Sequence, residues 1–529
     1  MALLGMDSIR QLGLSNFSSS YYWPISDDEF RAYVDTLLFE LETLLVEIDQ
    51  DIADLVIADY RFLMFIIQHI HYRGAWARFE KLSAGTPDHS SLEIMINPSW
   101  DSHIQYFSDT HIKSGHFGNH RNTLKSVFGH QLRHLRYTWQ VNSKTALFEH
   151  LSPALRNPEH LSIGPFTVFK DKFLSSRDVY AHVSEWDFYG IPKCSAEPTF
   201  EFRLRTQFLE PYFSSIHKQC LGLGAEVDLK TIASTFSARL CRLNSFYSGY
   251  LKLQHPPKEI SLTAAGNPLR KTLAMALQRR GTKLFVLHHG DCPGVERYPH
   301  AHRNDGSFCN FFVCPTKKIT QNFRDNYSSS LLEIRAGTQY ITSEDSHYPL
   351  LKQKYRRDAG QAHKQDVIML IGFGMNHTRY LDGAGYFYYF QLDLQYRIAK
   401  LIKQLGYKLI YKVHPDRAVE VGDLFSTVAD SLETRPFEDV WDSADSYVFT
   451  HPGTTVFGQT VLTTRPMLLV DLKNNNWNLQ GYEHLKLRCQ MVPSFYDNVN
   501  RIVFDEMEFA EKLNNPLSLD DTYIDEFLF

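Results

Sequence analysis

Between Glu259 and Asp471 the chain alternates apolar runs of strand length with amphipathic stretches of helix length, and few architectures accept that pattern. A strand that returns through a helix to another strand must cross over the sheet, so successive strands lie parallel. The first series opens with EISLTAAGNPLRKTLAMALQRRGTKLFVLHHGD, which reads as strand, turn, helix, strand. Gly266, Asn267 and Pro268 supply the turn and the first helical residue, and Gly281 ends the helix. NFFVCP reads as a further strand, TKKITQNFRD as a helix and LLEIRAG as another strand, and LKQKYRRDAGQAHKQD reads as a linker. A second series follows. DVIMLIGFG is its first strand, and the helix near YFQLDLQYRIAKLIKQLG closes on Gly406. YKLIYKVHP and SYVFTHPG are strands with their loops, TTVFGQTVLTT is a helix and RPMLLVD a strand. The expected class is α/β, with two parallel-sheet units.

Upstream, DEFRAYVDTLLFELETLLVEI and ADLVIADYRFLMFIIQHI carry apolar residues at helical spacing, which predicts a helical hairpin packed on the body of the protein. The stretch from 90 to 255 is mixed, with a second helical pair expected over 200 to 250. A chain of 529 residues exceeds one ordinary core. The expected division is a helical region at 1–90, a first α/β domain with helical insertions at 91–350, and a second at 365–515.

The formal net charge of -5 argues against a protein built to grip nucleic acid, which would carry a basic excess. Aromatics at 14% serve either a large core or stacking platforms for sugar rings and a base. The seven cysteines are scattered without a CxxC pair, so a reducing cytoplasm is the expected home. The first residues, MALLGMDSIRQLGLSNFSSS, do not read as a signal peptide, and the apolar run Phe62 to Ile70 is too short to cross a bilayer. Attachment to the inner face of a membrane stays open.

Ligands of parallel sheets bind at the carboxyl ends of strands. Four segments fall there: HHGDCPG (288–294), GFGMNHTRYLDGAG (372–385), KVHPD (412–416) and THPGTT (450–455). KVHPD offers Lys412 and His414 to an anionic or ribosyl group, with Pro415 fixing the loop. THPGTT ends a strand and opens a helix, where backbone N–H groups can take a phosphate. Gly453 permits close approach, and Thr454 and Thr455 add hydroxyl donors, although Thr454 is equally an ordinary helix cap. Arg379 suits a sugar carboxylate through its planar fork, and Asn376 and His377 share its loop. His289 and Asp291 with His300 and His302 match no zinc spacing, so metal is not expected.

A K-x-HPD loop followed some forty residues later by a hydroxyl pair opening a helix resembles the donor half of bacterial surface-polysaccharide glycosyltransferases. These include CMP-sugar sialyltransferases, CDP-glycerol polymerases and, most similar, the retaining β-Kdo transferases of capsule and O-antigen assembly. The resemblance covers roughly residues 255 to 510. It implies a GT-B fold with two Rossmann-like domains facing a cleft. It also implies a CMP-linked ulosonic acid as donor substrate, no cofactor, and a glycan or glycolipid acceptor. Asp382 of LDGAGYFYYF would correspond to the aspartate that attacks the donor sugar, giving retention through a covalent intermediate. The family's serine pair is Thr454–Thr455 here, and a carboxylate that merely caps the following helix is the alternative for Asp382. HHGDCPG is similar to a His-Gly loop of related proteins. By that likeness His288, His289 and Asp291 face the donor and serve proton transfer, with Glu296 equally eligible. The alternatives are a CDP-alditol phosphotransferase, another nucleotide-sugar transferase of sialyltransferase type, and a non-catalytic sugar-binding protein.

Overall fold

The computed structural model describes residues 9–10, 12–83, 159–164, 168–175, 180–183, 198–253, 255–263, 266–288, 299–343, 348–356, 366–374, 385, 387–415, 418–472 and 477–529. Helices α1 (Leu14–Ser19), α2 (Asp27–Glu47), α3 (Gln50–Ala58) and α4 (Tyr60–Ser83) come first. Then follow β1 (His160–Ile163), α5 (Val168–Ser175) and β2 (Tyr180–Val183). A helical block holds α6 (Pro198–Leu204), a π-helical turn (Arg205–Leu209), α7 (Glu210–Leu223) and α8 (Leu229–Leu251). The first alternating series is β3 (Glu259–Leu262), α9 (Pro268–Arg279), β4 (Lys283–Leu287), α10 (Pro299–Asp305), β5 (Phe311–Cys314), α11 (Lys317–Tyr327), α12 (Leu331–Ala336), β6 (Gln339–Thr342) and α13 (Tyr348–Tyr355). The second is β7 (Val367–Ile371), α14 (Tyr388–Gln404), β8 (Lys408–Lys412), α15 (Ala418–Phe425), β9 (Ser431–Glu433), β10 (Ser446–Phe449), α16 (Thr455–Val461) and β11 (Met467–Leu472). It continues through α17 (Leu479–Arg488), β12 (Gln490–Tyr496), β13 (Ile502–Phe504), α18 (Glu506–Asn514) and α19 (Thr522–Phe527).

The chain is α/β with two parallel sheets. The first has the order β2-β1-β3-β4-β5-β6 and is parallel throughout. The second has the order β13-β12-β11-β10-β7-β8-β9, parallel except where β13 runs against β12. All six residues of β11 and all four of β10 are buried, as strands covered on both faces require. Counted from β7, the second order is the 3-2-1-4-5-6 of a Rossmann-type sheet. The winding reverses between β7 and β10 there, and between β1 and β3 in the first sheet.

Local signals work where the sequence reading placed them. Asn267 caps α9 by accepting from Leu269 and Arg270 N–H, Pro268 takes the first helical position, and Gly281 and Gly406 have positive φ. Two expectations are corrected. LLEIRAG is not a strand: Leu331–Ala336 is helix α12, capped by Ser330 and closed by left-handed Gly337, and the strand follows at Gln339–Thr342. The expected linker begins inside helix α13, whose Tyr348 and Tyr355 are fully buried, while 357–365 lie outside the described residues.

The N-terminal helices touch both sheet units. Ser18 donates to Asp393 of α14 at 2.7 Å, and Trp23 packs on Phe387, Tyr389 and Phe390. On the other side, buried Asp54 of α3 accepts from Arg279 of α9 at 2.8 and 2.7 Å. Asp54 also accepts from the Tyr247 hydroxyl of α8 at 2.8 Å, so the carboxylate ties α3 to two further helices. Among the described residues no helix is long and apolar enough to cross a membrane.

Candidate functional site

The reversal between β7 and β10 brings three loops together. Gly372–Gly374 follows β7, Val413–Pro415 follows neighbouring β8, and Thr450–Thr454 follows β10. The outer two strands are separated by one strand, so their ends lie about 10 Å apart. Glycine makes the close nesting feasible. A Cβ on Gly372 would lie 2.7 Å from the Lys412 carbonyl, and one on Gly374 would lie 3.2 Å from the His414 ring. The imidazole of His414 therefore rests against Gly374, half-buried at the mouth of the crevice. Pro415 beside it is exposed.

On the β10 side, the Gly453 N–H donates to Nδ1 of buried His451 at 2.8 Å, so a neutral ring carries its proton on Nε2. That ring leans on Phe373 at 4.8 Å, coupling the β10 turn to the β7 loop. Thr454 is buried; its hydroxyl accepts from Phe457 N–H at 3.1 Å and its own N–H donates to the Pro452 carbonyl. It is the helix cap of α16. Thr455 is exposed on the first turn.

Beneath the loops lies a buried polar network that the sequence reading missed. Tyr411 donates to Gln395 at 2.8 Å, and the Gln395 amide donates to Thr450 at 3.1 Å. Thr450 in turn donates to Gln391 at 2.7 Å, and the Gln391 amide donates to the Gly385 carbonyl at 2.8 Å. One chain of hydrogen bonds thus joins β8, the end of β10 and the stretch leading into α14. The available signal was the i, i+4 spacing of two glutamines, Gln391 and Gln395, among the apolar residues of α14.

Lys412 is buried, and its ammonium donates to the Val413 carbonyl at 3.2 Å. Burial lowers its pKa, and the nearby Glu433 and Glu438 carboxylates oppose that shift. Glu438 also accepts from Gln459 of α16 at 2.8 Å, which ties the same charge cluster to the β10 side. Lys412 is thereby held among acids behind the loop.

Of the residues expected at the site, the structure gathers Lys412, His414, Pro415, Gly453, Thr454 and Thr455 around the reversal. His289, Asp291, Glu296, Asn376, His377, Arg379 and Asp382 lie outside the described residues. His288 is 7% exposed and packs edge-on against Phe312 of β5 and Phe323 of α11. His302 lies within 2.9 Å of the Tyr340 hydroxyl and 3.1 Å of Glu333, stacked on Tyr327, inside the core. Among the described residues no three His, Cys, Asp or Glu side chains group as metal ligands would. No protein-family model matches the chain, and no curated protein matches it.

Proposed function

We propose that the chain is a glycosyltransferase of GT-B type that takes a sugar from a nucleotide donor without a metal. The sharper form of the proposal is a CMP-linked ulosonic acid such as Kdo, transferred to a surface glycan or glycolipid. The observation that carries it is the coincidence of the KVHPD and THPGTT loops with the β7/β10 reversal, the crevice where doubly wound sheets bind nucleotides. A second observation supports facing sheets. The Arg61 guanidinium of α4 fills the room beside Gly266, just past β3, and Tyr72 of the same helix packs on Phe387 at 4.8 Å, just before α14. Eleven residues of helix span about 17 Å, so both carboxyl edges border one helix at cleft spacing.

In this reading His414 and the exposed Thr455 hold the donor phosphate, and Thr454 and His451 fix the turn that presents them. Arg379 takes the sugar carboxylate, with Asn376 and His377 alongside. Asp382 attacks the anomeric carbon, the nucleotide phosphate leaves with the bonding electrons, and the acceptor hydroxyl then displaces the aspartate. A base from the HHGDCPG loop, His289 or Asp291, or the nearby Glu296, takes the acceptor proton. Gln391 anchors the downstream end of the nucleophile's loop through Gly385. Intact mass measurement after mixing with CMP-Kdo, without acceptor, tests the scheme. The wild type gains one sugar, and Asp382→Asn and Asp382→Ala gain none. Transfer by either variant at the wild-type rate, or an inverted product, refutes the double displacement.

A further inference from the structure

The N-terminal segment 18–27 reaches the second sheet unit at the start of α14. Trp23 is fully buried, its ring 5.4 Å from Phe387, 5.1 Å from Tyr389 and 5.5 Å from Phe390. Tyr21 lies 5.2 Å from Tyr389 and 6.1 Å from Phe390, and the Tyr389 hydroxyl donates to the Tyr22 carbonyl at 3.2 Å. The backbone of the segment is fixed as well. The Trp23 N–H donates to the Val499 carbonyl at 3.1 Å, and the side-chain amide of Asn500 donates to the Trp23 carbonyl at 2.8 Å. Among the described residues Asn500 is the one non-glycine residue with positive φ, at 58°, so the β12–β13 turn that presents this amide is in the left-handed region, which asparagine tolerates.

These contacts fall where α14 lacks support of its own. Its N-cap residue, Phe387, makes no side-chain cap bond. Gly385, just before it, is wedged between strand ends: a Cβ there would lie 2.7 Å from Leu472 at the end of β11 and 2.7 Å from the Tyr496 hydroxyl at the end of β12. That hydroxyl donates to Asp27 of α2 at 3.3 Å, so the N-terminal region holds this wall too. From inside the helix, Gln391 donates to the Gly385 carbonyl at 2.8 Å. An uncapped helix start frays unless packing holds it. A displacement of about 1 Å at a reacting group costs about a hundredfold in rate. We propose that Trp23 is a positioning residue for sugar transfer: the N-terminal segment clasps the first turn of α14 and thereby fixes Gly385, the anchor that follows Asp382 in the chain. The role in transfer rests on the transferase reading; the clasp does not.

The test compares Trp23→Leu with Phe236→Ala in the full chain. Phe236 of α8 is fully buried against Phe62 and Phe208, so its variant controls for a general loss of packing among the helices. Thermal melting checks folding. Calorimetric titration with CMP gives wild-type affinity for both variants. After mixing with CMP-Kdo without acceptor, intact mass shows sugar addition about a hundredfold slower in Trp23→Leu and unchanged in Phe236→Ala. Hydrogen exchange of peptides covering 385–391 is faster in Trp23→Leu alone. If Trp23→Leu does not fold, Tyr389→Phe keeps the ring, loses the bond to Tyr22 and slows sugar addition by up to about tenfold at unchanged CMP affinity. A folded Trp23→Leu protein that takes sugar at the wild-type rate overturns the positioning role and leaves the transferase reading standing. So does one that loses CMP affinity in step with its rate. A wild type that neither binds CMP nor gains sugar removes the transferase reading and the role in transfer with it. Exchange then decides the clasp: faster exchange at 385–391 in Trp23→Leu alone supports it, and exchange equal to that of Phe236→Ala overturns it.

Discussion

Gln391→Leu keeps the volume of a buried side chain and removes one carboxamide from the network under the candidate donor site. Three bonds are lost: the Gly385 carbonyl accepts at 2.8 Å, the Thr450 hydroxyl donates at 2.7 Å and the Gln395 amide donates at 3.3 Å; the Gln395 amide keeps its bond to Thr450, so two groups are left unsatisfied. Gln391 is 2% exposed and Thr450 6%, so water does not replace the lost carboxamide in place. Each buried group left unsatisfied costs about 1–3 kcal/mol. The added apolar surface of leucine returns about 1–2 kcal/mol. The net expectation is a loss of about 1–4 kcal/mol, felt first at the β10 turn and the stretch before α14. Urea denaturation with an unchanged m-value reads the stability loss. Hydrogen exchange reads its location, with faster exchange in peptides covering 385–391 and 446–455 than in those covering β11. A variant within 0.5 kcal/mol of wild type, with unchanged exchange in those peptides, refutes the role given to the network; that margin is about what an inert substitution shows.

The remaining predictions are independent of it. His69 and His71 of α4 are buried, and burial lowers both to about 3. The unfolded chain binds these protons near pH 6.5 and the folded one does not, so their contribution is complete above pH 6.5 and is lost as pH falls toward 3. The loss is about 2 kcal/mol per ring by pH 5. His71→Phe fits the aromatic surroundings of Phe30 and Trp23 and should flatten part of the pH dependence measured by denaturation; an unaltered profile excludes His71 as a source. On the proposed transferase reading, sugar transfer survives EDTA; complete loss restored by magnesium or manganese would contradict the metal-independent form of that proposal.

The alternating series from Glu259 onward was legible because its helices carry their own punctuation, such as Asn267-Pro268 before α9 and Gly406 after α14. LLEIRA misled for the opposite reason: a six-residue segment has no period long enough to separate helix from strand, and the Ser330 cap and Gly337 stop decide it. HLSI of β1 was invisible locally, since its strand character comes from pairing with β2 and β3. The positions of KVHPD and THPGTT at strand ends were readable, but their adjacency was not, because β10 pairs with β7 across the intervening chain 372–445. Gln391 and Gln395 carry no sequence signal beyond their i, i+4 spacing in the helix over YFQLDLQYRIAKLIKQLG. Only the fold turns them inward and makes them the link between loops.

The most direct test of the account is calorimetric titration of the wild type and His414→Ala with CMP, CDP, UDP and GDP. Cytidine nucleotides should bind the wild type in preference to UDP and GDP. His414→Ala should bind them about tenfold or more weakly, the loss of one hydrogen bond to a charged phosphate. A folded His414→Ala protein with unchanged affinity, or a wild type that binds none of the four, contradicts a nucleotide-sugar site at the β7/β10 reversal.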